Sequence, residues 1–497
     1  MEAGNFPHKR RLACLVAAAA VALGAAAAPA AIPYSPRIDT VSLLADQGWA
    51  GDPDLIWYDD FSGSEDLLTR YLDGGGGVTV VDYEGLGGSG KSVRGHWDVG
   101  QVNAGGVRKC FGRCPADYRG CAVRTTEDFR DVYWRHYVKH QPGWIGNPAK
   151  MSRATAFAGS DWSQAMIAHI WGGNSLNLCI DPARGVDATS QVVTTCYNDF
   201  PNLTWLGYRQ GDDQIFDTDE SGRWVCIEGH ARLNTPGLSD GVFTLYIDGQ
   251  VDAHRDDLNW VYSWQDYGIN AVFLENYWNS GSPVEQERYF DDFVISTSYI
   301  GLAKSPSRPT VWKTAFRDDD GGDTQSAWQL QAASDLAGTD VVWDSGTIAA
   351  AGNTVVIDAA HGLFQGSLTG WLGLAPETVF ALRARQRDAA GYWSAWSDWM
   401  TTLRTGPAAA GDANLDGAVD GGDYTIWADN YGQSGGWGKG DFNDDGLIDG
   451  GDYTIWSDNY GSTGLAAGGT GGAPIPEPAA LSLLTVCACL PILRRRR

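Results

Sequence analysis

Helical periodicity is almost absent from residues 54–302. Strand-length runs take its place: VYWRHYVKH, SRATAFAG, QAMIAHIWG, WVCIEGHARLN, VFTLYIDGQ, NAVFLENYW and RYFDDFVIS. Successive side chains of an extended strand point to opposite sides, so each run sorts its residues into two faces. Gly, Asn, Asp and Pro punctuate the runs, which is the pattern of strands joined by turns. About 250 residues of such runs suit one large β sandwich or jelly roll.

The alternation separates an apolar set from a polar one. Val132, Trp134 and Val138 oppose Tyr133, Arg135, Tyr137 and Lys139. Arg153 shares a face with Thr155 and Phe157. Met166, Ala168 and Ile170 oppose His169 and Trp171, and Val225, Ile227, Ala231 and Leu233 oppose Trp224, Glu228, His230 and Arg232. A second face rich in Arg, His, Tyr, Trp and Lys predicts a groove. Aromatic rings beside polar groups suit sugars, which stack on apolar faces and hydrogen-bond at their edges. Arg135, Tyr137, Lys139, Trp171, Glu228, His230, Asn276 and Trp278 are the candidate substrate-binding residues.

The segment 224–300, with YIDGQVDAHRDDLNW, INAVFLENYWNSGSP and ERYFDDFVIS, resembles the concanavalin A-like lectin and glucanase group, including its polysaccharide lyase branches. Lyases of the alginate-lyase type carry an Arg-bearing strand, a Gln-x-His strand and a Tyr-bearing strand. Arg153, His169 and Tyr277 occur here in that order, with Gln164 displaced to five positions before the His. The resemblance implies β-elimination on a uronate-containing polysaccharide. Arg153, with Asn276, would neutralise the carboxylate; His169 or Tyr277 would take the α-proton, and Tyr277 would protonate the leaving oxygen. Against this stand a core histidine at 169, an Arg153 paired with a loop carboxylate, and Tyr277 and Trp278 as core or rim aromatics. A glycosidase would need two carboxylates across one sugar, for which Glu228 and Glu275 are the strand-borne candidates. A non-catalytic carbohydrate-binding or surface structural protein fits the same groove.

Residues 309–405 read as a smaller sandwich. The strand TVFALRARQRDAAGYW and the motif Trp393-Ser394-Ala395-Trp396-Ser397 resemble a fibronectin type III domain, in which Arg383, Arg385 and Arg387 would stack on the Trp rings. The acidic stretch 318–324 reads as a solvated loop or a calcium site.

Residues 411–462 repeat one pattern twice, GDANLDGAVDGGDYTIWADNYG and GDFNDDGLIDGGDYTIWSDNYG. Each copy places side-chain oxygens at loop positions 1, 3, 5, 9 and 12 with Gly at 6, the spacing of a calcium loop, although position 12 is Asp rather than Glu. The ligands would be Asp412, Asn414, Asp416, Asp420 and Asp423 with the Ala418 carbonyl, then Asp441, Asn443, Asp445, Asp449 and Asp452 with the Leu447 carbonyl. Gly-rich segments precede both loops, so each leads into one short helix. This duplicated loop-helix resembles a type I dockerin, which implies two calcium ions and a cohesin-type partner.

The ends read as addresses. Lys9, Arg10 and Arg11 before an apolar run at 12–28 mark a secretory signal peptide over 1–31. Pro476-Glu477-Pro478, a short apolar run and four terminal arginines, over 474–497, resemble a PEP-CTERM sorting tail cut by an exosortase-type enzyme; a plain membrane anchor is the alternative. Together they imply an exported protein, extracellular or on the surface of a Gram-negative-type bacterium. A net charge of −25 argues against nucleic acid. Cys110, Cys114, Cys121, Cys179, Cys196 and Cys226 remain between the ends and are expected to form disulfides, with Cys179–Cys196 the easiest pair and zinc at the first three the alternative.

Overall fold

The computed structural model describes residues 32–463, except 65, 73–76, 89, 320–322 and 350. The segments expected to direct export and sorting lie outside the described residues. The protein is mainly β, as the alternation predicts, and its two ten-residue helices both lie near the C-terminus.

Two antiparallel sheets face each other across residues 54–302. The front sheet runs, edge to edge, Thr204–Trp205, Leu178–Arg184, Gln164–Gly172, Lys150–Phe157, Ala271–Tyr277 and Asn103–Cys110. The back sheet runs Gln250–Leu258, Gly241–Ile247, Trp224–Arg232, Asp131–His140, Gln286–Ser296, Ser92–Trp97 and Val78–Val81. One apolar core lies between them. Met166, Ala168, Ile170, Val272 and Leu274 enter it from the front, and Val132, Trp134, Val138, Val225 and Ile227 from the back. Burial of such side chains contributes roughly 25 cal/mol per Å² of apolar surface, so the alternation dictates which way each strand faces. Gly229 is part of that fit, since a Cβ there would come within 2.2 Å of the Trp134 ring.

The smaller unit packs a six-stranded sheet, which contains Gln325–Ala333 and Val379–Asp388, against a three-stranded one around Trp328, Leu330, Trp343, Leu382 and Leu403. One of its strands, Ile38–Val41, comes from ahead of the large unit and pairs with Thr310–Lys313. Arg383 lies 4.6 Å from the Trp396 ring, Arg385 4.5 Å from Trp393 and Arg387 5.4 Å from Trp393, so cations and indoles interleave along the sheet.

The cysteines require a correction. All six in the described residues are free thiols. Cys179 is buried on its strand opposite Trp171, whereas Cys196 is exposed on a loop, so the expected pair is not joined. Nor do Cys110, Cys114 and Cys121 form a group at metal-binding spacing among the described residues.

Candidate functional site

Two cross-strand rows organise the outer face of the front sheet. In the first, Asn103 pairs with Tyr277, Tyr277 with Lys150, and Lys150 with Trp171. In the second, Arg108 pairs with Phe273, Phe273 with Arg153, Arg153 with His169, and His169 with Asp181. Strands lie about 4.8 Å apart, so the first row presents a polar and aromatic line about 14 Å long. The structure thus brings Arg153, His169 and Tyr277 to one face of three neighbouring strands.

The first row opens to solvent. A cavity of about 320 Å³ is lined by Asn103, Arg108, Lys150, Tyr197, Glu275 and Tyr277, with Gly105 and Gly106 beside them. The Lys150 ammonium lies 4.5 Å from the centre of the Tyr277 ring and 3.8 Å from Glu275 Oε1. Burial lowers the Lys150 pKa; Glu275 opposes that shift, while Arg153 and Arg108 add to it. The Tyr197 hydroxyl is pushed up, by burial first and then by Glu275, so it remains protonated. Beside this line Trp171, Phe200 and Trp205 meet with ring centroids 5.9–6.4 Å apart, and Phe200 and Trp205 are exposed.

The second row is closed. Arg153 is wholly buried and donates from Nε to Glu275 Oε2 at 2.8 Å, from Nη2 to Glu275 Oε1 and Tyr197, and from Nη1 to Asn198. With those partners it holds the site together and cannot reach a uronate carboxylate. His169 is also wholly buried, with Trp171 and Trp205 over it at 4.1 and 5.6 Å and Nδ1 3.0 Å from the Asp181 carbonyl. Burial, reinforced by Arg153, drives its pKa well below the ordinary value, so it is a neutral imidazole without access to a substrate proton. Arg153 as the carboxylate ligand and His169 as the base are therefore corrected; Tyr277 alone of the three lines the cavity.

Most of the expected binding residues lie elsewhere. Arg135, Tyr137, Lys139, Glu228 and His230 are on the back sheet. Their outer face is covered by the segment that links the two sandwiches and by the chain near residues 39 and 84. Arg135 pairs with Asp292 at 2.6 Å and donates to the Gly301 carbonyl; Lys139 meets Asp39 and Glu84 at 2.8 Å. The Tyr137 hydroxyl accepts from the Ala303 N–H, and Glu228 accepts from the Ile300 and Gly301 N–H groups. His230 stacks on Tyr133 and contacts Asp131 at 2.7 Å. Glu228 and Glu275 thus sit on different sheets and cannot flank one glycosidic bond. Asn276 points inward, 3.5 Å from Arg288 Nη1, and Trp278 is a core ring between Trp97 and Trp144. Of the binding set, Trp171 borders the open face, and Asn276 lines the cavity beside Tyr277 although its side chain turns inward.

Lys150, Arg108 and Tyr197 escaped the sequence reading. Lys150 lies two residues ahead of the SRATAFAG run, and the register shifts between it and Ser152, so simple alternation misplaces it. Tyr197 comes from a loop without periodicity, and Arg108 from a strand interrupted by Gly105-Gly106.

The C-terminal repeat forms a second candidate site. Helices Gly421–Asn430 and Gly450–Asn459 each start from a loop whose Asp at position 9 caps the helix while Asp423 or Asp452 bonds back to the cap N–H. The position-6 glycines, Gly417 and Gly446, have φ of +88° and +85°, the left-handed turn that glycine adopts without strain. Asp412 Oδ2 accepts from Gly417 N–H at 2.9 Å and Asp441 Oδ2 from Gly446 N–H at 3.0 Å. Asp441 Oδ1 is buried with no hydrogen-bond partner. Burial first, then the charge of Asp423, pushes Asp412 up to about 6; Asp423 and Asp441 are raised too. Crowded carboxylates with an unsatisfied buried oxygen fit a hard divalent cation coordinated by oxygen.

No family model matches the chain, and no curated protein matches it. Among solved structures, it is similar to an endo-β-1,4-glucuronan lyase from the fungus Trichoderma reesei (14% identity, 49% of this chain and 96% of that one, TM-score 0.30). It is also similar to an alginate lyase from a Chlorella virus (15% identity, 49% and 99%, TM-score 0.32) and to one from Aplysia kurodai (11%, 55% and 100%, TM-score 0.30). Likenesses this remote carry no chemistry; the groups around the cavity do.

Proposed function

We propose that the large sandwich is a polysaccharide lyase acting on a uronate-containing chain. The observation that carries this reading is the convergence of Arg108, Lys150, Tyr197 and Tyr277 on one cavity, in a protein whose net charge is −25. Two cations gathered against that background suit an anionic sugar. Arg108 would neutralise the uronate carboxylate and acidify the α-proton. Lys150, its amine made less basic by burial, would take that proton from C5. The electron pair then forms the C4=C5 double bond as the C4–O bond breaks, and the Tyr277 hydroxyl protonates the departing oxygen. The phenolate regains a proton from the Lys150 ammonium or from water. Trp171, Phe200 and Trp205 would stack the neighbouring sugar rings. Incubating the full chain with uronate and neutral glycans, and following the ultraviolet absorbance of new unsaturated ends, tests the reading. Cleavage of a uronate polymer with that absorbance is expected; hydrolysis without it would overturn the lyase chemistry.

A non-catalytic glycan-binding role is the second reading, and the exposed Phe200 and Trp205 platform favours it. It predicts retention on a polysaccharide column with no new ends.

The C-terminal module would bind two calcium ions through Asp412, Asn414, Asp416, Asp420 and Asp423 and their counterparts from Asp441 to Asp452, and would attach the protein to a cohesin-type partner. The motivation is the repeated oxygen spacing with the buried, unpartnered Asp441 oxygen. Its apolar core is small, centred on Ala413, Val419, Phe442 and Trp456. Chelator is therefore expected to melt both helices, and Asp416→Ala to weaken one site of the full chain. Helical circular dichroism indifferent to chelator would sink this assignment. The smaller sandwich, fibronectin III-like with its Arg–Trp stack, would act as a spacer. The basic, apolar ends fit export, with exosortase-type processing of the tail.

A further inference from the structure

The smaller sandwich carries a carboxylate cluster that the readings above leave unused. One oxygen each from Asp318, Asp323 and Asp388 lie within 4.8 Å of one another. Asp388 ends the strand Val379–Asp388 opposite Gln325, and it is wholly buried. Its Oδ1 accepts from the Tyr392 N–H at 2.7 Å, whereas its Oδ2 is buried and has no hydrogen-bond partner. Asp323 Oδ1 accepts from the Thr324 N–H at 2.7 Å and the Ala389 N–H at 3.3 Å. No Lys, Arg or His forms an ion pair with Asp323 or Asp388 among the described residues.

From this geometry we infer that Asp318, Asp323 and Asp388 form a third calcium site, separate from the duplicated loops. A buried carboxylate oxygen facing two more carboxylates is strongly unfavourable unless a cation lies among them. Oxygens bound to calcium at about 2.3–2.6 Å can stand no more than about 5 Å apart, and the cluster meets that limit. The three residues close the end of the Gln325–Ala333 and Val379–Asp388 strand pair, bringing the segment ahead of Gln325 against the turn after the longer strand. Close to Asp318, Arg317 stacks 3.9 Å over Tyr34, whose hydroxyl donates to Asp319. Arg317 also pairs with Asp219 of the large sandwich, so an ion at the cluster would hold the chain beside that contact between the two units.

Equilibrium dialysis of the full chain with radioactive calcium tests the inference, in an Asp416→Ala/Asp445→Ala background that weakens the duplicated loops. The background protein is expected to keep one tightly held ion per chain and to gain thermal stability on calcium addition. Asp323→Asn and Asp388→Asn are each expected to lose that ion and that gain. Should Asp388→Asn fail to fold, Asp323→Asn, which is only partly buried, decides. An unchanged ion count in folded Asp323→Asn protein would overturn the site, as would a background protein that holds no calcium.

Discussion

Tyr277→Phe is expected to reduce lyase turnover by about 10² to 10⁴, the usual loss when a positioned acid or base is removed. The substitution takes away one hydroxyl and leaves the ring beneath the Lys150 ammonium. KM for the uronate polymer should therefore change little while kcat falls. Lys150→Met is expected to cause a loss of similar size, for it removes the group that would take the α-proton. Trp205→Ala should do the opposite, raising KM with a smaller effect on kcat, because the exposed indole stacks sugar without touching the reacting bond. Full activity in Tyr277→Phe would remove it from the chemistry. Weaker retention on a polysaccharide column in all three variants, with no unsaturated ends formed even by the natural protein, would favour the glycan-binding reading.

Arg153→Met should destabilise the large sandwich by about 3–5 kcal/mol, because it leaves the Glu275 carboxylate buried without its principal partner. Burial by itself would raise the Glu275 pKa, but Arg153 and then Lys150 overcome it and hold the carboxyl down at about 2. The sign of the pH effect follows. A group held below its unfolded value stabilises the fold fully above that value, about 4.5, and its contribution is lost as pH falls from there toward 2. Urea midpoints of the natural protein should drop across that window. The Arg153→Met/Glu275→Leu protein should recover much of the loss at pH 7 and show a smaller drop in acid. If Arg153→Met is as stable as the natural protein, the pair does not hold the sheet together and the cavity's rear wall has been misjudged.

Local spacing carried much of the molecule. Alternation in 131–140, 164–172 and 224–232 assigned Trp134, Ile170 and Ile227 to the interior and Arg135, His169 and Glu228 to outer faces, and the structure places them so. The period of a strand is a property of the backbone, and burial of apolar surface selects one face, so both are written in the residue order. The duplicated loop spacing predicted one short helix after each loop, over the runs that begin at Asp423 and Asp452; the structure starts them two residues earlier, at Gly421 and Gly450, directly after the capping Asp420 and Asp449. Composition likewise showed how acidic the chain is.

What alternation cannot say is which sheet an outer face belongs to. Arg135, Lys139 and Glu228 fall on the back sheet, under the linker, while Lys150 and Tyr277 fall on the front one. That choice depends on strand order, which is set by contacts between residues more than a hundred positions apart, such as those that join Ala271–Tyr277 to Asn103–Cys110 and Lys150–Phe157. Nor does an outer face have to be exposed. Arg153 and His169 point away from the core as predicted, yet Glu275 with Tyr197 occupies the one and Trp171 with Trp205 covers the other. The sequence by itself determined strand direction, the acidic repeat and the chemical inventory of the faces. Only the tertiary structure decided which of those groups meet solvent together, because loop packing over a sheet is a long-range fit with no period to read.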